Sequence, residues 1–345
     1  MDDAPSGTRS DRPTALLLMD RRTFDLQFHA EQLDRLAGLA QTTDPVCISE
    51  LDSPQAIALL AQADVVLTSW GAPALTAERL ARAPRLRAVL HCAGTVRGVL
   101  PDRTWDHGLL VTSAADENAR PVAEFTLAAI ILAGKKAPFI AADSGTAGRG
   151  WSVAGEQGEL SNRGRTVGLV GLSRIGRKVL DLLRILETGA VLVADPTVDA
   201  AEVASLGAEL VELDELVRRS DIVSLHAPAL PSTYRMIGAA ELAAMPDGAT
   251  LINTARGSLV DTAALEAECA SGRIDAILDV TDPEPLPAAS PLHTRSNVMV
   301  TPHIAGSLGS ETRRMSDHAL DELERWIAGE APLAPVTREH LDVSA

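Results

Sequence analysis

Thr166-Val-Gly-Leu-Val-Gly-Leu-Ser-Arg-Ile-Gly176 decides how this chain is read. Residues 167–170 form a short apolar run with the character of a buried parallel strand. Gly171-Leu-Ser-Arg-Ile-Gly176 follows as a tight turn. From Arg177 on, Val179, Leu180, Leu182, Leu183 and Leu186 recur at helical spacing. A strand feeding a glycine turn feeding a helix holds a dinucleotide pyrophosphate: backbone approaches the phosphates and the helix offers its first N–H groups. A second apolar run, 191–194, ends at Asp195, about 20 residues past the turn, where a carboxylate accepts from the adenosine ribose hydroxyls. Ser173 stands where the middle glycine of G-x-G-x-x-G belongs. That glycine normally leaves room for the pyrophosphate, whereas serine adds a small side chain that can itself donate.

Working outward, the 345 residues suffice for two domains of ordinary size, and 46% hydrophobic with 23% charged residues is a globular composition. Thirty-one basic against 47 acidic residues leave a net charge of −16. Such a balance argues against nucleic-acid or anionic-membrane binding, although a local cationic cleft for an anionic substrate remains compatible with it. Cys47, Cys92 and Cys269 are odd in number and widely spaced, as expected of free thiols in a reducing compartment. No His/Cys cluster has metal-ligand spacing. Residues 1–13 are polar and expected to be disordered. The apolar run 125–133 falls short of the roughly 18 residues a membrane span needs, so a buried helix and a cytoplasmic protein are expected.

Strands are expected at 15–19, 46–48, 63–68, 86–91 and 109–112, with helices at 28–39, 55–62 and 76–83. Strands alternating with helices at this spacing imply a parallel α/β sheet. No glycine-rich phosphate turn follows the first strand, so this half is a smaller α/β domain that does not hold the dinucleotide. A long helix, 118–136, bridges to the central fold. There, strands are expected at 167–170, 191–194, 220–226, 250–254, 276–280 and 297–301. Helices are expected from 177, at 214–219 and at 259–271. An amphipathic helix, 311–328, closes the chain.

Ligands of an open parallel sheet sit beyond the carboxyl ends of its strands. Polar residues there are therefore the candidates. Arg256, in Asn253-Thr-Ala-Arg-Gly-Ser258, can grip a carboxylate or carbonyl oxygen with two N–H donors; the structural alternative is a cap or ion-pair arginine. His303 follows a strand end directly and suits general acid/base work. Glu284, in Asp282-Pro-Glu-Pro285, can orient an imidazole and favour its protonated form, or be a solvated loop acid. Asp279 ends a strand and can take the carboxamide of a nicotinamide. Nucleophilic hydrolysis has little support: Ser258 is not set in G-x-S-x-G.

With these residues in place, the chain resembles the D-isomer-specific 2-hydroxyacid dehydrogenases over about residues 63–328. The likeness is densest in the 164–176 stretch, Leu225-His-Ala-Pro-Ala-Leu-Pro-Ser-Thr233, Leu251-Ile-Asn-Thr-Ala-Arg-Gly-Ser-Leu-Val-Asp261, Pro283-Glu-Pro-Leu286 and Val300-Thr-Pro-His-Ile-Ala-Gly306. The resemblance implies that Arg256 binds a 2-oxo acid, that His303 gives its carbonyl a proton as hydride arrives from NADH, and that Glu284 pairs with His303. Thr254, Ala255, Asp279, Ala305 and Gly306 would line the nicotinamide side. Gly171, Ser173, Arg174, Ile175, Gly176, Asp195, Ala227, Ser232 and Thr233 would contact the rest of the cofactor. The substrate loop would be Ala93-Gly94-Thr95-Val96, with backbone N–H groups on the substrate carboxylate, Thr95 also reaching the cofactor, and Trp70 opposite.

Three positions depart from the family pattern: Ser173, Val96-Arg97 in the substrate loop, and Thr281 in place of an aromatic residue. The implied fold is two Rossmann-like or flavodoxin-like parallel-sheet lobes with a cleft between them. A substrate domain of 1–118 and 305–345 would enclose an NAD-binding domain of 119–304, as a homodimer packed through the cofactor domains. Glyoxylate and hydroxypyruvate are the expected substrates, and phosphoglycerate is disfavoured because no further regulatory domain follows. The competing reading is an NAD-sensing, corepressor-like binding protein on the same fold. A formate-dehydrogenase-like reading is weaker, since Glu284 stands where those relatives resemble each other in carrying glutamine.

Overall fold

A computed structural model describes residues 12–101, 105, 107–146, 149–156 and 158–339. The polar leader up to residue 11, expected to be disordered, lies outside the described residues. The chain divides into two compact units, one running through Asn118 and resuming at Leu308, the other spanning Ala119–Ser307.

In the first unit the elements are β1 (Thr14–Leu18), α1 (Arg21–Gln27), α2 (Ala30–Leu39), β2 (Gln41–Ile48), α3 (Pro54–Gln62), β3 (Val65–Thr68), α4 (Ala77–Ala81), β4 (Ala88–His91) and β5 (Leu110–Ser113). Helix α5 (Ala115–Gly134) carries the unit boundary within it. The sheet is all parallel in the order β2-β1-β3-β4-β5, which reverses direction at β1/β3. Alternation along the strands divides their side chains between two layers. Leu16, Leu18, Val66 and Val89 pack in one; Leu17, Leu67, Ala88 and Leu90 pack in the other. Ala319, Leu320 and Leu323 of the C-terminal helix cover that second layer.

The second unit continues with α6 (Ala137–Ala142), β6 (Thr166–Val170), α7 (Arg174–Leu182), β7 (Ala190–Ala194), α8 (Ala200–Ser205), β8 (Glu209–Leu210), α9 (Leu213–Arg219) and β9 (Ile222–Leu225). After these come α10 (Ala239–Ala244), β10 (Thr250–Asn253), α11 (Thr262–Ser271), β11 (Asp275–Leu278) and β12 (Val298–Val300). Helix α12 (Thr312–Ala328) returns the chain to the first unit. The sheet order β12-β11-β10-β9-β6-β7-β8 is that of a doubly wound dinucleotide-binding fold, with its switch point between β6 and β9. Both faces are covered: Val167, Leu169, Ile222, Ile252 and Ile277 pack in one layer, Val170, Val223, Leu225, Leu251 and Leu278 in the other.

Some elements differ from expectation. The helix expected at 28–39 is α2, and a further helix that the apolar pattern did not announce, α1, precedes it. Asp20 caps α1 through the N–H of Thr23 at 2.7 Å, and the chain turns extended at His29 before α2. Strand β2 starts five residues earlier than its apolar run, because its half-exposed edge accepts Gln41-Thr-Thr-Asp44 without an apolar pattern. The bridging helix is shifted towards the N-terminus, to 115–134.

Candidate active site

The glycine turn lies at the switch point of the second sheet. Gly171 has a φ of +97°, and a Cβ there would stand 2.6 Å from the backbone nitrogen of Ala227. Only glycine lets the end of β6 approach the end of β9 this closely. Ser173 has an ordinary φ of −64° and serves as the N-cap of α7, its Oγ accepting from Gly176 N–H at a long 3.4 Å. Its hydroxyl is thus turned back onto the helix, whose first-turn N–H groups lack intrahelical acceptors. Arg174 is exposed, while Ile175 packs against the apolar layer beneath.

Asp195 caps the next strand. One carboxylate oxygen accepts from Leu172 N–H at 2.7 Å, and the other from the backbone and hydroxyl of Thr197 at 2.8 and 2.6 Å. The acid expected to meet a ribose therefore also ties β7 to the glycine turn. Beyond β9, Ala227 is buried and Ser232 exposed, and the Thr233 hydroxyl donates to the Pro228 carbonyl at 2.6 Å. Turn and helix terminus supply N–H donors and the strand-end acid an acceptor, the set of groups that holds a dinucleotide, so these residues fit the cofactor.

The acid/base candidates gather on the β10–β12 side of the same sheet. His303 Nδ1 lies 2.6 Å from Glu284 Oε1. A carboxylate accepts, so Nδ1 carries the hydrogen and Nε2 is left outward; no hydrogen bond to Nε2 occurs among the described residues. His303 has a φ of +55°, rare for a residue with a side chain. Asp279 holds it there. The Asp279 carbonyl accepts from His303 N–H at 2.9 Å, and its carboxylate accepts from the Thr301 hydroxyl at 2.6 Å, Ile304 N–H at 2.8 Å and Ala305 N–H at 2.9 Å. Asp279 is 2% exposed. Three of its roughly four lone-pair sites are taken, leaving one for a nicotinamide carboxamide. Its anchoring of the 301–305 turn escaped the sequence reading, although Thr301 was visible within the motif.

Arg256 is half-buried, donates to its neighbour's carbonyl, Ala255 O, at 2.6 Å, and has no ion-pair partner among the described residues. Burial works to lower its pKa and the charge of Glu284 works to raise it. Gly257 lets this turn meet the Glu284 loop: a Cβ there would lie 2.0 Å from the Thr281 carbonyl group. Thr254 and Ala255 are buried. The Thr254 hydroxyl meets that of Thr126 in α5 at 2.8 Å, a support with no sequence signature. Ala305 is buried and Gly306 partly so.

Trp70, Gly94, Thr95 and Val96 belong to the first unit. Trp70 is 39% exposed just past the end of β3. Gly94 and Thr95 are half-buried in the loop after β4, whereas Val96 is 1% exposed and packs in the core, leaving its backbone as the part able to meet a ligand. No cluster of metal-ligand side chains and no helix long and apolar enough to cross a membrane occur among the described residues.

Residues 129–305, just over half the chain, match the family model described as D-isomer specific 2-hydroxyacid dehydrogenase, NAD binding domain. D-3-phosphoglycerate dehydrogenase of Mycobacterium tuberculosis is 36% identical over 304 residues, 86% of this chain and 56% of that protein. The chain thus spans about half the length of these curated relatives. Glyoxylate reductase of Aeropyrum pernix is 34% identical over 273 residues, 76% of this chain and 80% of that protein. A phosphoglycerate oxidoreductase from Rhizobium etli has a similar solved structure: TM-score 0.77 and 26% identity, over 95% of this chain and 99% of that one. A model spanning the cofactor unit and a relative aligned along most of both chains agree with the motifs, and the chain belongs to the D-isomer-specific 2-hydroxyacid dehydrogenase family.

Proposed function

We propose that this protein is an NAD-dependent dehydrogenase interconverting a small 2-oxo acid and its D-2-hydroxy acid. The observation that carries the reading is the His303–Glu284 pair, 2.6 Å apart on the turn that Asp279 anchors. When bound, NADH supplies the hydride. With Nδ1–H committed to Glu284, Nε2 is the atom that gives a proton to the carbonyl oxygen in reduction and removes it in oxidation. Arg256 grips the acid with two N–H groups. An anionic substrate favours its charged form, as Glu284 does. The N–H groups of Gly94, Thr95 and Val96 hold the substrate carboxylate, and Trp70 borders the bound substrate.

Glyoxylate and hydroxypyruvate are the substrates we favour, a choice supported by the likeness to a glyoxylate reductase. Two further features extend the reading. Helix α5 is apolar on several sides and leaves Leu132 40% exposed, which supports a homodimer joined through the cofactor units. The three free cysteines suit a reducing, cytoplasmic setting. Turnover of a panel of 2-oxo acids, followed by NADH absorbance, tests the activity. NADH binding without turnover of any of them would overturn it in favour of an NAD-sensing binding protein. A monomer in sedimentation at micromolar concentration would reject the dimer.

A further inference from the structure

Thr68 and His91 end the neighbouring strands β3 and β4 and are partners in register. The loops that follow carry Trp70 and Ala93–Val96. Both side chains are buried, and the Thr68 hydroxyl lies 2.9 Å from His91 Nδ1. Around them the start of the second loop is pinned. Gln27 Nε2 and Ser69 Oγ both donate to the Cys92 carbonyl, at 3.0 and 3.1 Å, and Cys92 N–H donates to the Thr68 carbonyl at 2.7 Å. At the other end, Val96 is sunk in the core. His91 Nε2, between these anchors, is buried without a hydrogen-bond partner. The Thr95 backbone is the group that favours the protonated ring, though burial prevails and pushes the imidazole down to about 4. The ring is therefore neutral at ordinary pH. In the tautomer that carries its one hydrogen on Nε2, Nδ1 accepts from the Thr68 hydroxyl. A buried donor left unpaired costs about 1–3 kcal/mol, which a slight settling of the loop relieves.

We propose that His91 is a positioning residue for the 93–96 loop: latched to Thr68 through Nδ1, it draws the Thr95 carbonyl to Nε2–H. In a trans peptide the carbonyl and the following N–H point in opposite directions. Drawing the Thr95 carbonyl inward turns the Val96 N–H outward, as the carboxylate-binding role requires. This second step rests on the proposed function; the latch itself does not.

His91→Asn keeps a polar group near the Nδ1 position but falls short of Thr95, whereas His91→Gln reaches the Nε2 position. Amide hydrogen exchange in the cofactor-free protein tests the latch without any substrate. In the Asn variant the amides of residues 94–97 should exchange about tenfold faster, the equivalent of one lost hydrogen bond, with β4 and β5 unchanged. With glyoxylate as probe, KM should rise by about the same factor while kcat and NADH affinity hold. His91→Gln should restore most of both effects. Unchanged loop exchange in the Asn variant, or no recovery with Gln, overturns the proposal. Faster loop exchange with an unchanged KM overturns its substrate step. If the wild-type protein turns over no 2-oxo acid, the proposed function has failed and exchange alone judges the latch. Should the Asn variant not fold, Thr68→Val is judged by the same exchange, with unchanged loop protection again overturning the proposal.

Discussion

Asp279 Oδ2 accepts the N–H of Ala305 at 2.9 Å, within the set of bonds that holds His303 at a positive φ. Asp279→Asn keeps the size of the side chain but replaces one acceptor oxygen with a donor. At least one of Thr301, Ile304 and Ala305 then loses its acceptor in a buried place. The cofactor-free protein should become about 1–3 kcal/mol less stable to urea, and kcat should fall at least tenfold. An Asp279 that served only the cofactor would instead raise the KM for NADH and leave apo stability untouched.

Glu284 and His303 make separable predictions. His303→Gln removes the group that moves the proton and should reduce turnover by about a hundredfold or more, in the range general acid catalysis contributes. Glu284→Gln still accepts from Nδ1–H but lacks the charge that supports the imidazolium during turnover. It should lower kcat by a smaller factor, about tenfold, with NADH affinity held. Equal kcat for wild type and Glu284→Gln would return Glu284 to the status of a solvated loop acid.

How far could these features be read from the sequence? The glycine turn, the strand-end acids and the His303 motif were legible because each is local: a strand, a turn and a polar residue within a few positions. Parallel strands buried on both faces, such as Val65–Thr68 and Thr250–Asn253, show as largely apolar runs for the same reason. Strand β8, only Glu209–Leu210, and the six-residue helix α8 left no pattern long enough to recognise. Contacts across long separations were invisible. The 128 positions between Thr126 and Thr254, and the 23 between Leu172 and Asp195, are closed only by the fold.

Acid stability should report two buried histidines. Burial lowers His91 to about 4 and His226 to about 3, against about 6.5 in an unfolded chain. Between those values the unfolded state binds a proton that the folded state refuses. Stability from each is therefore fully present above about pH 6.5 and is lost as pH falls towards the folded value. At pH 5 each histidine should cost about 2 kcal/mol relative to pH 7.5. Replacing either with Gln, which does not titrate, should shrink the difference between urea unfolding at the two pH values by about that amount. An unchanged difference would mean that neither ring governs the acid limb.

Cofactor choice turns on Asp195. Its carboxylate would repel a 2′-phosphate, and Pro196-Thr-Val-Asp199 offers no arginine to receive one. NADH should be preferred to NADPH by about tenfold or more, which is about 1.4 kcal/mol. The contacts of Asp195 add a second expectation. Because its carboxylate also accepts from Leu172 N–H, Asp195→Ala removes a tie that shapes the glycine turn as well as the repulsion. That variant should lose affinity for NADH by about tenfold without gaining it for NADPH in equal measure, so selectivity collapses rather than inverts. Fluorescence titration of both cofactors into both proteins checks this. An Asp195→Ala protein that binds NADPH as tightly as the wild type binds NADH would show that Asp195 acts by repulsion alone, with no part in holding the turn.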